Sequence, residues 1–309
     1  MSSSVSTAFV QQYNANIMQL SQQMGSRFES RLRNESQKGQ SQFFDRLGPV
    51  VAQLRSSRHA DTPQIDTPHS RRRVTLNDYV FADLIDDPDK VRMLVDPASD
   101  YAKAQAMSFG RRKDDECIEA LDGNAYGGQN GGTAVAHPNT QKIASVASAA
   151  GANLNVQALR RAKKKFDEAD VDPSIPRHIA VSASALENLL TETEVTSADF
   201  NVVRALVQGE LQTFLGFSFF QSQRLLAQSG TLAFDTASGA VGSGLGDADT
   251  YRRIPCWAQD GMLLSKAQDM QSRIEERPDK NFSTQVWTQM SIGATRLEEE
   301  KVVIILAND

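Results

Sequence analysis

The chain has 309 residues, 40% of them hydrophobic and 7% aromatic, with 33 basic and 38 acidic side chains for a net charge of -5. That length suffices for one large domain or two ordinary ones, and the charge balance does not mark a nucleic-acid binder. No run is long and apolar enough to span a membrane, the start MSSSVSTAFVQQYN lacks the basic and apolar regions of a secretory signal, and two distant cysteines, Cys117 and Cys256, read as structural thiols of a reducing compartment rather than a disulfide framework.

From residue 7 to 33, Phe9, Tyr13, Ile17, Leu20, Met24, Phe28 and Leu32 recur at steps of three and four. That stripe predicts an amphipathic helix, packed on its own domain or docked as a terminal arm on another subunit. Gly25 weakens its middle by about 1 kcal/mol relative to Ala. The run RSSRHADTPQIDTPHSRRR, Arg55 to Arg73, follows. It repeats Asp-Thr-Pro at Asp61 and Asp66, and Ile65 is its only large aliphatic residue. With apolar sequence on both sides, it predicts a long protruding hairpin that has no core of its own and must lie on something else or move. Arg58, His59, Asp61, Asp66 and His69 suit turns and hydrogen bonds between subunits; the two histidines and two aspartates could also meet around a metal. Arg71, Arg72 and Arg73 suit phosphates or an acidic patch on a neighbour, such as Asp83, Asp86, Asp87 and Asp89.

Asp96-Pro97 predicts a helix start, and only Gly110 interrupts the helical sequence to Leu121. Its middle, Arg111 to Glu116, reads as a solvated charged face with Arg111–Asp115 and Arg112–Glu116 pairs. The stretch GNAYGGQNGG, 123–132, lacks the Gly-Lys-Ser/Thr ending of a phosphate loop and reads as a flexible connection. Asn155 caps a helix through Phe166, 176–182 is a buried strand, and Ser182 or Ser184 starts a helix through Leu190. A further helical stripe covers 198–206, a strand covers 216–221 after a Gly turn, and a Gly-, Ala- and Ser-rich loop is expected at 227–250. Asp260-Gly261 reads as a hairpin turn, 270–277 as a strand and 278–281 as a turn. Phe282 to Ile292 alternates as one half-buried strand, ended by Gly293, and Val302 to Leu306 is the last strand.

Catalytic patterns are absent: neither GxSxG, a Cys-His motif nor HExxH is found, and the histidines at 59, 69, 137 and 178 have no zinc spacing. The order of parts resembles the major capsid proteins of tailed bacteriophages, of the Hong Kong 97 fold. The resemblance rests on Met270 to Trp287 (MQSRIEERPDKNFSTQVW), Thr295-Arg-Leu, Glu300-Lys-Val-Val, Ile304-Ile-Leu, Phe214 to Phe219, Cys256 to Leu264 and 42–122. It implies a mixed α+β fold: an N-terminal arm (1–45), an E-loop hairpin (46–82), a P-domain (83–132 and 268–309) and an A-domain (133–267). It further implies a structural, non-enzymatic subunit without cofactor, forming hexamers and pentamers of an icosahedral head around packaged double-stranded DNA.

The implied partners are further copies, a separate scaffolding protein, a portal, a cement protein and DNA touched non-specifically on the inner surface, with no membrane. Assembly is expected in the bacterial host cytoplasm. Candidate contacts between subunits are Tyr13, Ile17, Leu20, Arg58, His59, Asp61, Asp66, His69, Arg71, Arg72, Arg73, Asp86 and Asp87. The absence of a long cleavable segment before the arm points to the separate scaffold, and the Lys and Asn of the family's covalent crosslink have no match. The alternatives are an encapsulin-like bacterial compartment and, from a different class, a soluble α/β enzyme.

Overall fold

The computed structural model describes residues 22–54, 57–58, 64–86, 98–144, 153–191, 213–234 and 241–308. Its helices are α1 (Ala98–Asp122), α2 (Val156–Glu168) and α3 (Ala183–Thr191). The strands are β1 (Arg33–Ser36), β2 (Ser41–Leu47), β3 (His69–Thr75), β4 (Asn77–Ile85), β5 (Ala125–Gly127), β6 (Thr133–Val135), β7 (Lys142–Ala144) and β8 (Arg177–Val181). They continue with β9 (Thr213–Phe214), β10 (Phe217–Gln221), β11 (Ala227–Phe234), β12 (Val241–Ala258), β13 (Met262–Arg277), β14 (Ser283–Arg296) and β15 (Val302–Asn308). The mix is α+β, as expected. By contacts the chain divides into one unit of Met1–Gly25, Asp78–Arg111 and Gln268–Ser291, and another of Ser26–Asn77, Arg112–Ala267 and Ile292–Asp309.

The larger unit is built on a seven-stranded sheet of order β7-β15-β12-β8-β10-β9, with β11 paired to β12. Both faces of this sheet are covered, so its strands read as continuous apolar runs. Ile179, Val181, Phe217, Ile254, Cys256, Val303 and Ile305 face one way, against Leu159, Ala162 and Phe166 of α2 and Ala185 and Leu189 of α3. Ala180, Phe220, Trp257, Val302, Ile304 and Leu306 face the other way, against Cys117, Ile118 and Leu121 of α1 and against Phe28 and Leu32. Both cysteines are buried free thiols. Asn155 caps α2 by accepting from Ala158 N at 2.8 Å, and Ser182, not Ser184, caps α3 by accepting from Ala185 N at 3.1 Å.

Several expectations are corrected. The stripe through Leu32 is not an α-helix where it is described: residues 22–28 are irregular, Gly25 sits at φ +80, Glu29–Arg31 makes a single 3-10 turn, and β1 starts at Arg33. Phe28 and Leu32 are still core residues, Phe28 stacking on Trp257 at 5.5 Å and meeting Phe220 edge-on at 4.9 Å. The charged middle of α1 is not a solvated face: Lys113, Asp114 and Glu116 are buried. Asp114 accepts from Ser26 Oγ at 2.5 Å, Arg27 N at 3.0 Å and Phe28 N at 3.2 Å, pinning the chain where it enters the core. Arg112 does meet Glu116, at 3.4 Å, whereas Asp115 pairs with Arg224 at 2.5 Å and Arg111 donates to Gln22.

Where it is described, the 227–250 region is strand rather than loop: β11 and the first part of β12 pair antiparallel. Asp260-Gly261 does not close a hairpin, because β12 lies in the seven-stranded sheet and β13 in a four-stranded one, β1-β13-β14-β4. Gly293 does not end its strand; β14 continues to Arg296, and glycine is needed because a Cβ there would lie 2.2 Å from Thr75 O. Phe282 is exposed rather than inward-facing. In the smaller unit, Gln105 of α1 donates to Val286 O at 3.2 Å and accepts from Thr288 Oγ1 at 2.5 Å, which fixes the buried face of β14. The 198–206 stripe lies outside the described residues.

Candidate subunit-contact surface

A hairpin is present, but not with the expected 46–82 bounds: its strands are β2 and β3, residues 48–54 are not strand, and 77–82 belong to β4 of another sheet. β2 and β3 pair antiparallel from Ser41↔Thr75 to Leu47↔His69, and Gly48 N donates to Pro68 O at 2.8 Å across the base of the following loop. Strand alternation gives it two unlike faces. Phe43, Asp45, Leu47, Arg71 and Arg73 share the outer face, while Phe44, Arg46, Arg72 and Val74 turn inward.

The Gly-rich 123–132 stretch is not a flexible connection. It forms the β5-β6 hairpin, which extends the same sheet by pairing Gly127 with Arg72 and Tyr126 with Arg73. Gly131, at φ +64, is held there because a Cβ would come within 2.6 Å of Arg73 Cδ and 2.9 Å of the Phe43 ring. The glycines thus let one hairpin lie close over the arginine strand.

The three arginines occupy three environments. Arg72 is 2% exposed, ion-paired to Glu299, and donates from Nε to Leu297 O at 3.3 Å. Glu299 also lies 3.7 Å from Arg46 and 3.9 Å from Arg296. Burial depresses the Arg72 pKa, opposed by the nearby Glu299 charge; Arg296, fully buried, is depressed for the same first reason. Arg296 donates to the carbonyls of Leu121 and Gly123, both at 3.0 Å. Arg71 meets Asp45 at 2.6 Å in an exposed pair, and the Arg73 guanidinium lies 5.3 Å from the Tyr126 ring centroid. Arg72 therefore holds its own fold, and of the triple only Arg71 and Arg73 belong to the outer face.

Beyond the strands, the hairpin carries apolar side chains that its own unit does not cover. Leu47 is 69%, Val51 80% and Leu54 95% exposed, and Val50 and Ile65 are exposed too. Isolated exposed apolar residues are ordinary, but a run of them in one hairpin loop marks a contact surface. The smaller unit has its own set: Val80, Phe81 and Leu84 on β4, Met270 and Ile274 on β13, and Phe282. β4 is an edge strand, the kind of element that invites pairing.

Of the residues expected at contacts, Arg58, Asp66 and His69 are exposed along the hairpin. Asp86 is exposed at the end of β4 and accepts from Ser283 Oγ at 2.5 Å. Tyr13, Ile17, Leu20, His59, Asp61 and Asp87 lie outside the described residues. No group of three or more His, Cys, Asp or Glu able to hold a metal occurs among the described residues. Sequence reasoning passed over Arg46, Glu299 and Tyr126. The Glu298-Glu299-Glu300 triple was the one available signal for an acidic partner of the arginines.

The model of the family described as phage capsid protein matches residues 5–309. No curated protein matches the chain. Solved structures similar to it include the capsid of cyanophage P-SCSP1u, at 16% identity and TM-score 0.72, covering 99% of this chain and 95% of that one. The capsid of Ralstonia phage GP4 is similar at 10% identity and TM-score 0.75, covering 97% and 95%. The capsid of Helicobacter pylori bacteriophage KHP30 is similar at 10% identity and TM-score 0.71, covering 99% and 98%. These likenesses are in fold, over whole chains on both sides, and the family match spans nearly every residue. The chain belongs to the phage capsid protein family and is a major capsid structural subunit with the Hong Kong 97-like fold.

Proposed function

We propose that copies of this chain close as hexamers and pentamers into an icosahedral head around packaged double-stranded DNA, and that its work is structural rather than catalytic. The observation that carries this reading is the hairpin: a rigid, arginine-anchored base bearing an apolar run that its own unit leaves open. Covering Leu47, Val51 and Leu54 on a neighbour would contribute about 1.5–3 kcal/mol each when fully buried. Such contacts are modest singly, but a closed shell repeats them many times, and multivalency makes the whole stable.

In this reading residues 1–45 are an arm, 46–82 the E-loop, 83–132 and 268–309 the P-domain and 133–267 the A-domain. Arg58, Asp66, His69, Arg71 and Arg73 help set register at the neighbour, where charge pairs steer more than they bind. Tyr13, Ile17 and Leu20 belong to the arm's contact stripe, with His59 and Asp61 on the hairpin and Asp86 and Asp87 on the acidic partner. A scaffolding protein guides closure in the host cytoplasm, with a portal and a cement protein as further partners. Electron microscopy of the expressed chain, with the nucleic-acid content of purified particles, tests the proposal. Closed shells that lose closure on Leu54→Asp, while the subunit stays folded, are expected. Shells filled with a protein cargo in place of DNA overturn it.

A further inference from the structure

The chain is acidic overall, yet five of the six residues from Arg160 to Lys165 are basic, and all five lie on α2. The exception, Ala162, is buried in the core. The helix's buried stripe, Val156, Ala158, Leu159, Ala162 and Phe166, therefore turns Arg160, Arg161, Lys163, Lys164 and Lys165 away from the sheet. The two acids at its end do not cancel this charge. Asp167 is held at 3.0 Å by Arg177, whose side chain is buried, and Glu168 lies 3.3 Å from Lys164 and 3.8 Å from Lys165. Glu168 thus serves two lysines of the helix, and Asp167 serves a cation from outside it.

A cationic helix face is most often plain solvation. Two features argue for a partner here. First, the concentration is local: 160–165 holds five of the chain's 33 basic residues while the whole carries -5. Second, the shallow depression beside it is lined by Arg160, Lys163, Lys164, Asp167, Glu168 and Leu215, with no aromatic anchor. A protein partner would be expected to find an aromatic hot spot, and no aromatic side chain lines this depression. A polyphosphate needs only mobile cations in a row, because its binding comes from neutralised phosphates and released counterions. Lysine, a flexible point charge, suits phosphates met without sequence preference.

We infer that the exposed face of α2, centred on Arg160, Lys163 and Lys164, is the surface through which this subunit touches the phosphate backbone of duplex DNA. The inference deepens the proposed DNA-enclosing role and rests on it.

The test measures binding of the unassembled full-length chain to a short fluorescent duplex across a salt series. Each phosphate contact contributes about -0.9 to the slope of log K against log salt. The combined variant R160Q, K163Q, K164Q is expected to weaken binding and to flatten that slope by about 2 to 3. Lys163→Gln and Lys164→Gln singly should each flatten it by about 1, so the test stands even if the combined variant does not fold. An unchanged slope overturns the inference. So does a variant that keeps its DNA affinity but loses binding to polyglutamate, which would assign the face to an acidic protein. Closed shells from the parent chain with an unchanged slope reject the DNA face alone; a flattened slope without shells supports the face and rejects the assembly reading.

Discussion

Replacing Arg72 by Ala separates folding from assembly within the arginine triple. The Arg72 side chain is 2% exposed and carries an ion pair to Glu299 and a hydrogen bond to Leu297 O. At an effective dielectric of about 20, one contact pair at about 4 Å is worth about 4 kcal/mol. Breaking a buried pair by removing one partner typically costs about 3–5 kcal/mol. Glu299 retains Arg46 at 3.7 Å and Arg296 at 3.9 Å, so its own charge is not left alone, and the lower end of that range, about 3 kcal/mol, is expected.

Arg71→Ala loses an exposed pair with Asp45 and should cost under about 1 kcal/mol. Urea unfolding of unassembled subunits reads both. A double cycle of Arg72→Ala with Glu299→Gln should return a coupling of about 1–3 kcal/mol. If Arg72→Ala unfolds within about 0.5 kcal/mol of the parent, the buried pair is not what holds β3.

Acid should loosen the subunit through two histidines. Burial first, then Arg296, lowers His137 to about 4; burial first, then Arg31, lowers His178 to about 4. Both are neutral in the folded chain and take up protons near pH 6.5 once unfolded, so their stability contribution is intact above pH 6.5 and is lost as pH falls from 6.5 to 4, by up to about 3 kcal/mol each. Thermal melts at stepped pH should show this loss, and His178→Phe should flatten it; a pH-independent melting temperature between 4 and 6.5 contradicts the assignment. Asp114→Ala removes the acceptor of three donors from Ser26, Arg27 and Phe28 and should cost about 2–4 kcal/mol. Hydrogen exchange should accelerate at residues 26–31 before the rest of the unit, and unchanged protection there would show that Asp114 is not the pin.

Strand and helix identities that depend on neighbours in sequence were readable because their signals are local. Asn155 caps α2 and Leu215-Gly216 turns into β10, because capping and left-handed backbone are settled within a few residues. The errors share one cause: local signals whose meaning long-range contacts reverse. Asp260-Gly261 has hairpin chemistry, but its two strands join different sheets. The charged centre of α1 reads as solvated until Ser26 to Phe28, some 86 to 88 residues away in sequence, deliver donors to Asp114. The glycines of 123–132 read as slack, yet they allow β5-β6 to sit against Arg73 and Phe43.

Legible in the residues alone were the α+β class, buried strands of the central sheet, a hairpin around the arginine triple and the order of parts that resembled a tailed-phage capsid. Periodicity and turn chemistry carry that information, because each is a property of a short segment. Which arginine of Arg71, Arg72 and Arg73 is structural depends on long-range packing. Strand alternation requires Arg72 to face opposite to its two neighbours, but which side is inner depends on Glu299 arriving from the far end of the chain. The same holds for α2, whose five cations turn away from the core, Arg160 and Lys164 exposed and the others half-buried, only once the sheet has claimed Ala162 and Phe166.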